Sequence, residues 1–249
     1  MKGQAEIMTH RVSRVWLGFA DLEQATRAYT RLGFRVVQPR LGGKALIFLA
    51  DGVVLELFSL AHLPFGREED ELLERRRHFY AGKMGLLDYA LGSTAALEQA
   101  SVWLEGREIP HRALGGRLLP QLLVCPPPLP LWLGPLTPQP GPEQTQHPNG
   151  VTGLHALVVG SPAYPAALAQ HRRLLGPPLG FENHEGQRRA VFAVGEHFIY
   201  LQGAEREGLS GLILRSRYAL WGRLEAEQTL GVPLMLLGDP VFALAPEAD

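Results

Sequence analysis

Apolar positions along the chain alternate between two rhythms, one of strands and one of helices. Val12, Val15, Trp16, Leu17 and Phe19 form a β-rich run. Leu22, Ala25, Tyr29 and Leu32 then recur at helical spacing. Asp21 stands where an N-cap belongs, with Gln24 three residues on as the second half of a capping box. Gly33 suits the position just past the helix, where a left-handed backbone is common. Further β-rich runs follow at 34–37, 45–49 and 53–58. They are separated by Gly42-Gly43 and by Asp51-Gly52, the second a two-residue hairpin turn. The predicted order is β-α-β-β-β.

The same order returns from Gly153 onward. Residues 154–159 read as a strand, Ser161 as the cap of a helix and Pro162 as its first turn. Tyr164, Leu168, His171 and Leu175 follow one helical stripe, and Leu179-Gly180-Phe181 echoes Leu32-Gly33-Phe34. Residues 190–194 and 198–201 close this unit as a hairpin about Gly195-Glu196. Two weaker copies complete the pattern. One spans about 85–136, with strands 86–91, 122–125 and 131–133 and a helix over 95–104. In it Leu91-Gly92 and the later Leu97-Glu98-Gln99-Ala100 echo Leu17-Gly18 and Leu22-Glu23-Gln24-Ala25. The other, over about 209–246, is abbreviated: strand 212–214, helix 218–230 ended by Gly231, then strands 234–237 and 241–244. Segment 61–84 mixes acids and bases as a solvated connecting helix would. Segment 137–150 carries Pro138, Pro140, Pro142, Pro148 and Gly150 and reads as a linker. The expected architecture is α+β: four tandem βαβββ modules, the fourth abbreviated, pairing into half-open mixed-sheet cups. The first half covers 8–140 (modules about 12–60 and 85–136) and the second 150–249 (modules about 153–203 and 209–246).

Composition narrows the function classes. Apolar residues make up 46% of 249 residues, enough for a sizeable core. The formal net charge of -1 gives no field to attract nucleic acid or an anionic membrane surface. A single cysteine, Cys125, excludes an internal disulfide and fits a reducing compartment. The beginning of the sequence lacks the apolar stretch of a signal peptide, and no run reaches the ~18–20 apolar residues that span a bilayer. The expectation is a cytoplasmic protein with a small-molecule ligand, no nucleic-acid or membrane partner, and a homodimer as the assembly left open. Glycine-rich phosphate loops, dinucleotide fingerprints and nucleophile elbows do not occur.

The repeated unit, its Leu-Gly-Phe after the first helix, the closing Leu55-Glu56-Leu57 and the linker His147-Pro148-Asn149-Gly150 resemble the glyoxalase-like domain proteins. These belong to the vicinal-oxygen-chelate (glyoxalase, bleomycin-resistance and dioxygenase) superfamily. The resemblance implies that modules pair their sheets around a cup. It also implies a divalent metal held by a first-strand histidine and a last-strand glutamate, a donor set suited to transition metals. The implied chemistry is of lyase, isomerase or dioxygenase type. The alternatives are non-catalytic binding or sequestration of a small molecule, as in resistance proteins, and a protein-interaction module.

Carried onto this sequence, the ligand pattern is broken. The first unit keeps Glu56 but has Arg14 at the histidine position. The second offers Asp88 and about Trp132; the third offers His155 with Gln202, or Tyr200 if the hairpin shifts; the fourth about Ser210 and Ala243. An arginine cannot coordinate a cation, and beside Glu56 it would make a charge-assisted hydrogen bond. Any retained metal would fall to Glu56, Asp88 and His155. Period-two alternation puts Arg14 with Trp16, and Glu56 with Phe58. The first cup is therefore expected to present Arg14, Trp16, Phe58, Asp88 and Trp132 to a ligand, with Glu56 as the candidate general base. The second cup would present His155, Tyr200 and Gln202.

Overall fold

A computed structural model describes residues 10–39, 43–59, 85–93, 96–116, 119–134, 140–218 and 222–238. Two mixed sheets of seven strands each dominate it. The first contains β1 (His10–Phe19), β2 (Lys44–Phe48), β3 (Val54–Ser59), β4 (Gly85–Ser93), β5 (Arg112–Gly116), β6 (Leu119–Val124) and β7 (Leu131–Leu133). Its spatial order is β2-β3-β1-β4-β7-β6-β5. The second contains β8 (Val151–Ser161), β9 (Gly180–His184), β10 (Gln187–Val194), β11 (His197–Gly203), β12 (Gly208–Ser216), β13 (Gly222–Arg223) and β14 (Leu234–Gly238). Its order is β13-β14-β12-β8-β11-β10-β9. In each sheet the first strands of two successive units pair antiparallel at the centre, β1 with β4 and β8 with β12. Each first strand also pairs parallel with the last strand of its own unit, as in β1 with β3 and β8 with β11. The result is an α+β fold of cupped sheets built from copied units.

The helices α1 (Leu22–Arg31), α2 (Leu97–Glu105), α3 (Pro142–Thr145) and α4 (Tyr164–Leu175) complete the described chain. Asp21 caps α1 as its sequence position predicts, its carboxylate accepting from the Glu23 and Gln24 amides. Helices α1, α2 and α4 cover one face of the sheets. There Ala25, Tyr29, Ala100, Leu104, Ala167 and Leu174 join Val15, Leu17, Leu91, Leu157 and Leu214 in one buried cluster that runs through both halves. The opposite, helix-free faces carry two separate apolar clusters, one per sheet. These faces are the cups.

Several local expectations need correction. Segment 34–37 forms no strand; only the isolated bridge of Val37 with Leu46 remains. Strand β5 was not legible, because Gly115 and Gly116 dilute its apolar signal. Ser161 does not cap α4: its hydroxyl accepts from the Ala163 amide and donates to Glu207, and α4 begins only at Tyr164. The described part of 218–230 is not a helix. Gly222 and Arg223 pair with β14 instead, and one turn from Glu225 to Thr229 follows. A central glycine and only two apolar residues between 222 and 229 give a helix there too little to bury. The expected connecting helix at 61–84 and the strand at 241–244, with Ala243, lie outside the described residues.

Candidate functional site

The first cup brings together most of the residues expected there. In the parallel β1–β3 ladder Trp16 stands opposite Glu56, and Gly18 opposite Phe58. Across β1 on the other side, Trp16 stands opposite Asp88. A bulge in β4 leaves Leu87 without a counterpart, so Leu87 and Asp88 both keep to the cup side. Arg14 Nη1 donates to Glu56 Oε2 at 2.7 Å, and Lys44 Nζ lies 3.8 Å from Glu56 Oε1. The Arg14 guanidinium also lies 6.0 Å from the centre of the Trp16 ring. Glu56 and Asp88 are separated by the width of β1, roughly 10 Å at two strand spacings. The buried Asp88 turns Oδ1 onto the neighbouring Tyr89 amide.

Trp132 is not part of this cup. It pairs with Leu91 and Leu123, both in the helix-side core, and alternation carries it to that face. Its ring packs against Trp103 and His10, at 5.3 and 5.5 Å between centroids. Its strand neighbours Leu131 and Leu133 face the cup instead. They join Trp16, Phe58, Leu87, Leu114 and Leu122 in a cluster whose members are all buried. The apolar middle of the first cup is thus buried.

The second cup is built on the same register but finished differently. Val158 stands opposite Tyr200 in the β8–β11 ladder, as Trp16 stands opposite Glu56. Each pair lies two residues before a matching glycine, Gly160 or Gly18. Tyr200, not Gln202, therefore occupies the place of the first unit's carboxylate. Gln202 is half-buried, level with Gly160. A bulge in β8 leaves His155 without a counterpart on β12. Its ring meets Phe198 at 5.2 Å between centroids, and its Nε2 lies 3.3 Å from the Tyr200 hydroxyl. The Phe198 and Tyr200 rings are parallel within 5°. The Arg189 guanidinium lies 4.1 Å from the centre of the Tyr200 ring and is ion-paired with Glu182. Around these residues Val158, Val191, Phe198, Met235 and Leu237 form an apolar surface that is only half-buried.

Burial lowers the His155 pKa, with Arg215 and His197 adding to the effect and Glu182 opposing it. Burial, with the nearby charge of Glu182, raises that of Tyr200, against a smaller opposing effect of Arg189. Both are neutral near pH 7, as an imidazole and a phenol.

Among the described residues, neither cup brings together the histidine and carboxylate donors the resemblance implies. The Glu56 carboxylate is engaged by Arg14, Glu182 by Arg189, and His155 by a phenol. Among the described residues no three His, Cys, Asp or Glu side chains cluster to hold an ion. Glu56, Asp88 and His155 do not converge, since the first two belong to one sheet and His155 to the other. Arg189, Phe198, Met235 and Val158 were not singled out from sequence. The alternation of Phe198 and Tyr200 was the available signal, and the pairing of β10 with β9 that brings Arg189 to Glu182 was not.

No family model and no curated protein matches the sequence. Solved structures do match in shape. A hypothetical protein from Staphylococcus aureus aligns with a TM-score of 0.63 at 8% identity, over 93% of this chain and all (100%) of that one. BphC, a halotolerant catechol dioxygenase, aligns at 0.57 and 13% identity, over 84% of this chain and 70% of that one. An extradiol ring-cleaving dioxygenase from B. fuscum aligns at 0.53 and 14% identity, over 92% of this chain and 61% of that one. The two dioxygenases are members of the vicinal-oxygen-chelate fold, and the likeness is one of fold. No helix among the described residues is long and apolar enough to cross a membrane.

Proposed function

We propose that this protein is a vicinal-oxygen-chelate-type binding protein that takes a small molecule in its second cup without a metal centre. The observation that carries the reading is the contrast between the cups. In the first, Trp16, Phe58, Leu114, Leu122, Leu131 and Leu133 are all buried. The second leaves Val158, Val191, Phe198, Met235 and Leu237 half-buried beside His155 and Tyr200. Apolar walls with a few convergent polar groups are the usual makeup of a ligand site. The second reading, an enzyme of dioxygenase, lyase or isomerase type, draws on the fold shared with BphC and the B. fuscum dioxygenase. It would use Glu56 as a base, although Arg14 and Lys44 already engage that carboxylate.

Titration with the uncharged fluorophore N-phenyl-1-naphthylamine, together with metal analysis of protein purified without chelator, separates the two. The expected result is saturable binding that is lost in Val158→Trp and in Met235→Trp and kept in Leu46→Trp, a change on the first cup's face, where Leu46 stands opposite Glu56. Circular dichroism and Tm should be unchanged, and metal should be well below one equivalent. A stoichiometric transition metal would overturn the proposal. So would absence of binding, or binding that survives both second-cup substitutions in folded protein.

A further inference from the structure

We infer that the second cup selects an amphipathic monoanion, a small molecule with an apolar body and one carboxylate-like head, and that Arg223 at the rim receives the head. The inference rests on the proposal that this cup is the binding site, and it adds the charge class of the ligand. Strand β13 lies at the edge of its sheet, and in its antiparallel ladder with β14 Arg223 stands opposite Met235. Residues opposite each other in a ladder share a face, so Arg223 belongs to the face that carries Met235. Beyond Met235 the same row continues through Ile213 on β12, Ala156 on β8 and Phe198 on β11. All four belong to the apolar cluster of this cup. The row is therefore cationic at its edge and apolar along the rest. Two strand spacings set Ile213 about 10 Å from Arg223 along the sheet. A body of that length, laid over Met235 and Ile213 towards Phe198, keeps its head within reach of the guanidinium.

The charges on this face decide the sign. Arg189, over the Tyr200 ring, is ion-paired with Glu182. Arg215, opposite Leu237, donates to Asp51 Oδ2 at 3.2 Å. Arg223 is exposed and makes no ion pair or hydrogen bond among the described residues. Three guanidinium groups thus meet two carboxylates, and the excess is one positive charge. His155 adds nothing to it, because burial keeps the imidazole neutral near pH 7. A carboxylate at Arg223 gains a charge-assisted hydrogen bond and breaks no internal pair. An ammonium would bring a second unmatched cation, and a neutral molecule would leave the guanidinium to water.

Three probes with one apolar body test the class: octanoate, 1-octanol and octylammonium, each competing with N-phenyl-1-naphthylamine on the full chain at pH 7. Octanoate should displace the fluorophore about fivefold more effectively than octanol, the scale of a partly solvated charge-assisted hydrogen bond. Octylammonium should be the weakest of the three. Arg223→Gln should erase the advantage of octanoate over octanol, and Arg223→Glu should pass the advantage to octylammonium. Arg27→Gln, which removes an exposed cation of α1 in the first half, should leave the wild-type order unchanged. Octanoate no better than octanol in the wild type would overturn the anionic class. An octanoate advantage that survives Arg223→Gln, or octanoate still ahead of octylammonium in Arg223→Glu, would overturn the role of Arg223. In each of these cases the fluorophore still binds and the cup stands as the site. Failure of the fluorophore itself to bind would instead remove the site, and with it this inference.

Discussion

Arg14 and Glu56 show how one substitution can redirect a site. A residue that cannot bind a cation stands at the position where the resemblance implies a histidine, and it holds the facing carboxylate at 2.7 Å. Both side chains are largely withdrawn from water, at 18% and 11% exposure, so the pair depends on its own complementarity. Removing one member should cost more than replacing both. Arg14→Met leaves the Glu56 carboxylate with only the more distant Lys44. It should lower unfolding free energy by about 3 kcal/mol, the usual scale for orphaning a buried charge. Arg14→Met with Glu56→Leu should recover most of that loss, because an apolar pair suits the Trp16 and Phe58 surroundings. Urea denaturation midpoints of the wild type and the two variants check the order. The pair itself was legible in the sequence, since alternation along β1 and β3 fixes which residues share a face. The place of Asp88 was not fully legible, because a bulge resets alternation without any mark in composition.

At the scale of elements, the linker motif has a structural task. His147 Nδ1 accepts from the Arg35 amide at 3.0 Å, which leaves Nε2 to donate to the Phe48 carbonyl at 3.1 Å. Burial, with the charge of Arg35, holds this imidazole below its usual pKa despite the bond to Phe48, so it stays neutral in that tautomer. Asn149 donates to the Leu32 carbonyl from its side chain and to the Gly33 carbonyl from its backbone, while its Oδ1 accepts from Val151. The segment between the sheets is thereby fastened to the end of α1 and the end of β2. Gly33 makes this possible: its φ is 83°, and a Cβ there would come within 2.9 Å of the Asn149 Cβ. Gly33→Ala should therefore cost more than the about 1–2 kcal/mol of a left-handed alanine alone. Asn149→Ala should cost about 1–2 kcal/mol through its lost hydrogen bonds. Thermal unfolding of both variants, expected in that order, tests the fastening. The strongly periodic elements β1, α1, β8 and α4 were legible, each carrying its own apolar stripe. The stretch after 218 was not, because Gly222 and Arg223 owe their strand to pairing with β14, at Leu236 and Met235, and not to a pattern of their own. Local pattern holds no record of such a partner. The state of each cup was hidden for the same reason. Whether Trp16 meets Leu122 and Leu131, or whether Val158 stays half-covered, depends on how distant strands close over one face.

At the scale of the molecule, the two halves clasp each other by equivalent hairpin turns. The β2–β3 turn reaches β8, where the Ala50 amide donates to the Thr152 carbonyl at 2.9 Å. The β10–β11 turn reaches β1, where Gly195 lies so close to His10 and Arg11 that a Cβ would touch both at 3.2 Å. Asp51 is the polar centre of the first clasp. Its carboxylate accepts from the Leu154 amide at 2.6 Å, from His197 Nε2 at 3.2 Å and from Arg215 Nη2 at 3.2 Å, all in the other half. It also accepts from its own neighbour Val53, while Arg11 holds its backbone carbonyl. Burial alone would raise the Asp51 pKa, but the hydrogen bonds from His197, Val53 and Leu154, with the charge of His197, outweigh it and hold the group below its ordinary value. A carboxyl whose pKa is lowered by folding stabilises the fold fully above its unfolded value, about 3.8, and loses that contribution as pH falls towards the folded value. Asp51→Asn keeps the shape but not the charge or all the acceptors. At pH 7 it should lower stability by about 2 kcal/mol, since hydrogen bonds to a charged group are the ones lost. The gap between variant and wild type should then begin to narrow below about pH 4, where the unfolded carboxyl takes up its proton, and narrow further as the folded one does. Because the bonds cross between halves, their loss should also weaken the coupling of the halves. Calorimetry at pH 7 should show one wild-type transition and a broadened or divided one in the variant. A constant gap from pH 7 to pH 3, or an unchanged single transition, would mean that the clasp draws its strength from the apolar cluster shared by the two sheets and not from Asp51.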